Sequence, residues 1–447
     1  MSDTIDMARL EDEAAALVEV ARVAGADSCD VVVARGQSLA IEVRDGKVEN
    51  TSRSEADNFS LRVFCGKRVA TVNANTTAEA RELAERAVAM ARVSPEDPHQ
   101  GLAPAERLVA GWPDLDLCDR ATAEAAALTE RALACEAAGL AVKGVSKSMG
   151  ARAGWGLTGF VLATSTGFCG HYGVSRFSAS AAMVAGEGTA MERDYEFHSA
   201  VHEADLMDPA EIGRTAGERA VRRQGPRQVA SAAVPVLFER RAATGLLSSL
   251  MGAINGAAVA RKTSFLRDRM GQPVAAAAIT VVDDPLRRRG LGSRPFDGEG
   301  MATAPVRFIE AGVLTDWVLD WASARELGRD SNGRATRGGA GTSPATTNCF
   351  IDAGKTRLAD MIASMKRGLL LTETIGHGVN MVTGDYSKGA SGFWIENGEI
   401  AHPVAEITIA GNLKDMFLNM TPADDLEFRY ATNSPSLLVE GMTVGGR

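Results

Sequence analysis

The chain has 447 residues, 45% of them hydrophobic and 23% charged, which is more than one hydrophobic core ordinarily serves and predicts two or three domains. Its formal net charge of -9 argues against nucleic acid as the main partner, because phosphate binding needs a basic face. The six cysteines (Cys29, Cys65, Cys118, Cys135, Cys169 and Cys349) form no Cys-x-x-Cys pair, which excludes a disulfide framework and a zinc ribbon and points to reduced core thiols.

The acidic stretch 1–13 opens an amphipathic helix, expected from about residue 4 to 24, and does not have the pattern of a signal peptide. No apolar run approaches the ~20 residues that span a membrane, so a cytoplasmic location is expected. Leu39, Ile41 and Val43 then alternate with polar residues before Asp45-Gly46, and Phe59, Leu61 and Val63 do so before Gly66-Lys67: two strands. A helix follows Thr77, a proline-containing connection follows Ser94, and another helix follows Asp119. Small-residue strands are expected over 144–188, then a helix over 209–223. Beyond Val234 one helix, 240–259, precedes many short strands, the clearest hairpin turning at Asn397-Gly398. The stretch 334–347, rich in Gly, Arg and Thr, reads as a long mobile loop. The fold class is therefore α+β, an N-terminal α/β two-layer region followed by a mainly β C-terminal domain. The expected segments are 1–93 (α+β), 94–117 (connection), 118–230 (small-residue β region with flanking helices) and 231–447 (mainly β).

A zincin needs His-Glu-x-x-His on a helix, so that two imidazoles share a face and the Glu activates water. The nearest approach is His198-Ser199-Ala200-Val201-His202-Glu203, but the Glu follows the second His and the flanking residues read as strand. No Gly-x-Ser-x-Gly elbow occurs. Gly354-Lys355-Thr356 ends like a phosphate-binding loop, yet Cys349 stands where the first Gly belongs. Asp283-Asp284-Pro285 is explained by a strand-ending turn, and Arg287-Arg288-Arg289 by a solvated loop. The densest feature is 375–392. Its glycines allow close backbone approach, either for an extended peptide pairing with a strand edge or for the corners of a bent sheet. Spacing alone leans to the second. The candidate peptide-binding residues are His377, Gly384, Asp385, Tyr386, Ser387, Gly389 and Gly392.

The run 382–398, together with Glu406-Ile407-Thr408-Ile409-Ala410-Gly411-Asn412-Leu413, closely resembles the PmbA (TldE) branch of the TldD/PmbA metallopeptidase family. Gly252-Ala253-Ile254-Asn255-Gly256 and 259–266 are similar to the same branch. The likeness covers nearly the whole chain. It implies a TldD-like partner carrying His-Glu-x-x-x-His and a downstream Cys that hold zinc, the two subunits enclosing a cavity where unfolded peptides are cut. In this chain the corresponding helix reads Glu239-Arg240-Arg241-Ala242-Ala243-Thr244-Gly245, with no histidine, and 424–445 has no cysteine. The expectation is a non-catalytic subunit of a cytoplasmic heteromeric metallopeptidase, with no metal or catalytic residue of its own. Two alternatives stand beside it: a metallopeptidase acting through an unrecognised metal site that uses His377, and a homodimeric peptide-binding protein.

Overall fold

Period-two alternation of apolar residues builds six antiparallel strands into one sheet. They are β1 (Ser28–Arg44), β2 (Lys47–Cys65), β3 (Arg68–Ala74), β4 (Val145–Thr164), β5 (Cys169–Ala185) and β6 (Glu192–Ala200), in the order β3-β2-β1-β4-β5-β6. The computed structural model describes residues 5–338 and 341–446; residue 4, where the first helix is expected to begin, and Gly339 and Ala340 of the expected loop lie outside them. Val33 pairs with Phe59 on one side and Val161 on the other, so β1 joins strands from both expected segments, 1–93 and 118–230.

Four helices cover one face of this sheet: α1 (Met7–Val23), α2 (Ala80–Val93), α3 (Ala125–Leu140) and α4 (Pro209–Arg222). Leu10, Ala14, Leu17 and Ala21 recur at helical spacing on α1 and pack with α2 on Val31, Val33, Leu61 and Val161. α3 and α4 pack on Ile41, Val43, Ala153 and Phe177. Gly213 of α4 allows the close crossing, because a Cβ there would lie 1.9 Å from the Cys135 carbonyl oxygen of α3. On the opposite face, Val32, Leu162 and Phe168 meet Phe296 of the C-terminal domain and Trp112 of the connection. That face also carries Gly154, Gly156, Ser178, Ser180 and Ala182, beside Arg152 and Arg176 and, on β6, Tyr195, Phe197 and Ser199.

The C-terminal domain begins with β7 (Ala232–Phe238) and α5 (Arg240–Ala253). The helix expected to continue to 259 stops at Ile254, where the Asn255 side chain accepts from the Ala257 N–H (3.1 Å) and caps a new short turn. Short strands follow: β8 (Val281–Asp283), β9 (Val306–Glu310), β10 (Val313–Leu314), β11 (Ala335–Gly338), β12 (Gly341–Pro344) and β13 (Cys349–Ile351). The longer ones are β14 (Arg367–Ile375), β15 (Asp385–Glu396) and β16 (Glu399–Asn412), with β17 (Met420–Pro422), β18 (Thr432–Asn433) and β19 (Leu437–Gly445) closing the chain. One sheet runs β16-β15-β14-β7-β19-β17, and β16 also pairs with β19, so five of its strands close into a ring around the largest apolar core. The fold is α+β, as expected.

Two expectations are corrected. The stretch 334–347 is not an open loop: β11 and β12 pair antiparallel, and Arg334 is fully buried, its Nε donating to Asp283 Oδ2 at 2.5 Å. Asp283 also accepts from the N–H and hydroxyl of Thr347, which is why this Gly- and Thr-rich segment is fixed. Of the six thiols only Cys29, Cys135 and Cys349 are buried, while Cys118 and Cys169 are exposed. No helix among the described residues is long and apolar enough to cross a membrane.

Candidate functional site

Helix α5 buries Ala243, Leu246, Leu247 and Leu250 against the barrel core, which turns its first residues toward β6. Arg240 and Arg241 stand in that first turn. Cations are unfavourable near a helix N-terminus, so both need carboxylate partners. Arg241 donates to Asp194 Oδ1 at 3.0 Å and lies over the Tyr195 ring, 5.1 Å from its centroid. Arg223, at the end of α4, reaches Asp194 at 3.3 Å, Glu373 of β14 at 2.7 Å and the Ser391 hydroxyl of β15 at 2.8 Å. Asp194, Arg223, Arg241 and Glu373 line a cleft of about 220 Å³ between β6, α5 and β14. Burial opposes ionisation of Asp194, but Arg241, the Tyr195 N–H and Arg223 together outweigh it and hold the carboxyl below its usual range. The reciprocal attraction raises Arg241 despite its own desolvation.

The seven candidate peptide-binding residues lie on or beside β15 and do not assemble into one pocket. Tyr386 is 4% exposed and belongs to the core, its phenol pushed up by burial. Gly389 pairs with Ile375 on one side and Thr408 on the other; Gly392 pairs with Leu371 and Val404. A Cβ at Gly392 would lie 2.0 Å from the Leu370 carbonyl oxygen, so glycine is required for close backbone packing. Gly384 has φ 89° in the turn before β15. Asp385 accepts from the Thr383 hydroxyl (2.6 Å) and Asn412 Nδ2 (3.1 Å), which hold it below the ordinary carboxylate range. The Ser387 N–H donates to the Gly378 carbonyl at 2.7 Å, so the loop carrying exposed His377 covers the one stretch that β14 leaves unpaired. β15 thus offers no free edge to an added strand, and the bent-sheet reading describes it. Its Ser391 does reach the α5 cleft.

Family models match the chain in three consecutive pieces: the PmbA/TldA metallopeptidase domain 1 over residues 29–91, the central domain over 118–224 and the C-terminal domain over 231–446. The Metalloprotease PmbA of Escherichia coli O157:H7 is 35% identical over 443 residues, covering 98% of this chain and 96% of that protein. The chain belongs to the PmbA/TldD metallopeptidase family. The Metalloprotease PmbA homolog of Haemophilus influenzae is likewise 35% identical, over 433 residues, covering 96% of this chain and 94% of that one. Among solved structures, a candidate modulator of DNA gyrase from Bacteroides thetaiotaomicron superposes with a TM-score of 0.89 at 27% identity, covering 98% of this chain and 99% of that one. TldE from Thermococcus kodakarensis shares the fold, with a TM-score of 0.84 at 22% identity over 97% of this chain and 99% of that one.

A metallopeptidase family implies a metal, and the residues at the start of α5 do not fit one. Arginine, alanine, threonine and glycine stand there, and guanidiniums already occupy the nearby carboxylates Asp194 and Glu373. Among the described residues of this PmbA/TldD chain, no group of three or more His, Cys, Asp or Glu is placed to hold a metal ion. His198 and His202 go separate ways. His198 Nδ1 accepts from the Met207 N–H at 3.2 Å, and His202 pairs with Asp116 at 3.1 Å. Sequence reading missed Asp194, Arg223, Arg241 and Glu373. The signals were acidic residues at alternate positions 192, 194 and 196 of a strand, and two arginines in a helix's first turn.

Proposed function

We propose that this chain is the non-catalytic PmbA/TldE-like subunit of a TldD/TldE-type metallopeptidase, working in the cytoplasm beside a TldD-like catalytic subunit that carries the zinc. It shapes the proteolytic chamber and holds unfolded peptide. The observation that carries this reading is Arg241: where the resemblance places metal-binding histidines, a guanidinium sits in the Asp194 carboxylate at 3.0 Å. A metal there would have to displace a buried, charge-matched partner, and without a metal ligand set no water is activated. The small residues Ser178, Ser180 and Ala182 of β5, flooring a cleft of about 480 Å³ rimmed by Arg152, Tyr195 and Phe197, support the peptide-holding part, because they leave an extended chain room to approach between the rings.

The test is to assay cleavage of an unfolded peptide by a TldD-like partner with and without this chain, and to measure metal in the purified chain. The expected result is faster or more selective cleavage by the mixture and substoichiometric zinc in this chain alone. A partner equally active and selective by itself removes the accessory role. Stoichiometric zinc here, lost on replacing His377, shifts the assignment to a peptidase acting in its own right.

A further inference from the structure

We propose that a pocket at the end of β6 binds a carboxylate of the peptide this chain holds; the inference rests on the peptide-holding reading above. The pocket encloses about 210 Å³ and lies where the end of β6, the loop at 287–291 and the segment 428–430 meet. Its lining includes His198, Asp205, Arg287, Arg289, Asn348 and Arg429, and the Asp205 carboxylate is taken up by Arg289.

Most of its arginines are already matched. Arg288 and Arg289 both donate to Asp116, at 3.0 and 2.6 Å, and Arg289 also reaches Asp205 at 3.0 Å. Arg429 lies 3.4 Å from Glu196, a carboxylate that Arg219 holds more closely at 2.7 Å. Arg287 is different. Among the described residues it makes no ion pair, and its guanidinium carbon lies 3.6 Å from the centroid of the Phe428 ring. Stacking fixes the plane of the fork while leaving its N–H groups for an incoming acceptor. A second unused donor lies close by: Nε of Arg429 is buried and makes no hydrogen bond, the nearest Glu427 oxygen being 3.9 Å away.

His198 adds polarity of the same sense. Its Nδ1 accepts from the Met207 N–H, so the ring proton of the neutral imidazole sits on Nε2, a donor. Burial, reinforced by Arg429, keeps the ring below its ordinary range and hence neutral near pH 7. The pocket therefore presents an unpaired cation and further N–H donors, the arrangement that recognises a carboxylate. Its size suits the end of a chain or one acidic side chain rather than a length of backbone. It also adjoins the open sheet face, for the 480 Å³ cleft there shares His198 and Ser199 with it. An extended peptide lying along β6 would bring its terminus to Arg287.

The experiment titrates the purified full chain with a fluorescent unstructured peptide, by anisotropy, in three forms: free C-terminal acid, C-terminal amide, and amide ending in Glu. The acid is expected to bind about tenfold more tightly than the plain amide. Arg287→Ala, and Arg287→Gln as a second variant that keeps a planar group, should remove that preference. Arg53→Ala, which deletes an equal charge on an exposed part of β2, should leave it intact. If the Glu-ended amide binds like the acid, the pocket takes any carboxylate; if it binds like the plain amide, it takes a chain terminus. Equal binding of acid and amide overturns the pocket and leaves peptide holding in place. Failure of every peptide to bind overturns the peptide-holding reading, and the pocket's assignment with it.

Discussion

Glu299 and Asp297 are both buried, and their partners divide the charge between them. Asp297 accepts three backbone N–H groups, from Glu299 and Met301 at 2.9 Å each and from Ala335 at 3.2 Å, which keep it the more acidic of the two although burial lifts it to about 6. Glu299 has one, from Trp321 at 2.8 Å, and shares Arg62 with Asp30 at 3.5 Å. Burial therefore pushes Glu299 up to about 8 in spite of Arg62, and it is the carboxyl that keeps a proton. A folded value above the unfolded one means stability that is full below pH ~4.5 and is lost as pH rises through about 8. Glu299→Gln removes that loss: the wild type should weaken by on the order of 2 kcal/mol more than the variant between pH 5 and 8.5, read from urea midpoints. Parallel pH profiles for the two proteins would contradict the assignment. Arg334 gives a second residue-level expectation. Its deletion leaves the buried Asp283 charge with the Thr347 hydrogen bonds but no ion-pair partner, so Arg334→Ala should lose about 3–5 kcal/mol. The apolar pair Asp283→Val with Arg334→Met should lose less than the single change, and chemical denaturation of both variants checks it.

The glycines of β15 separate by what a methyl group would meet. At Gly392 it would lie 2.0 Å from the Leu370 carbonyl oxygen, whereas at Gly389 its nearest neighbours are Ile375 atoms at 3.5 Å, an ordinary contact. Gly392→Ala should therefore destabilise by about 2–4 kcal/mol and Gly389→Ala by less than about 1 kcal/mol. Similar losses from the two would mean that β14 and β15 are spaced differently. Elements whose cause is local were legible in the sequence. The β15–β16 turn needs positive φ at Asn397 and Gly398, which have 52° and 83°, and Asn-Gly announces it. Pro209 behind the Asp208 cap announces α4 in the same way. What was not legible depends on partners far along the chain. The register of β1 against β4 spans more than a hundred residues. Arg334 looks like part of a polar loop until Asp283, 51 positions earlier, is set beside it. The arginine run 287–289 read as solvated because Asp116 and Phe428 are remote in sequence.

At the scale of the molecule, several junctions tie the N-terminal sheet to the C-terminal domain, and three of them are extensive. Arg62 of β2 bridges Asp30, Glu299 and Thr342, and the rings of Trp112, Phe168 and Phe296 interlock on the sheet face. The third is the Asp194 network, which joins β6 and α4 to α5 and β14. Two junctions with buried charge and one of interlocked rings imply that the halves unfold together, and Asp194 joins two arginines from different elements. Asp194→Ala strips the nearer carboxylate from Arg241, leaving Glu239 at 3.5 Å, and one partner from Arg223, each arginine 14% exposed. Breaking one side of a buried pair destabilises by about 3–5 kcal/mol. Because the carboxyl is held below its usual range, its contribution is present above pH ~4 and is lost as pH falls through the folded value. Calorimetry should show a lower transition for the variant at pH 7, by roughly 3–5 °C, and a gap from wild type that narrows toward pH 3. An unchanged transition at pH 7 would mean that the cleft beside α5 is held by the other junctions. The Asp194–Arg241 pair would then be free to open and accept a substrate group instead of bracing the subunit.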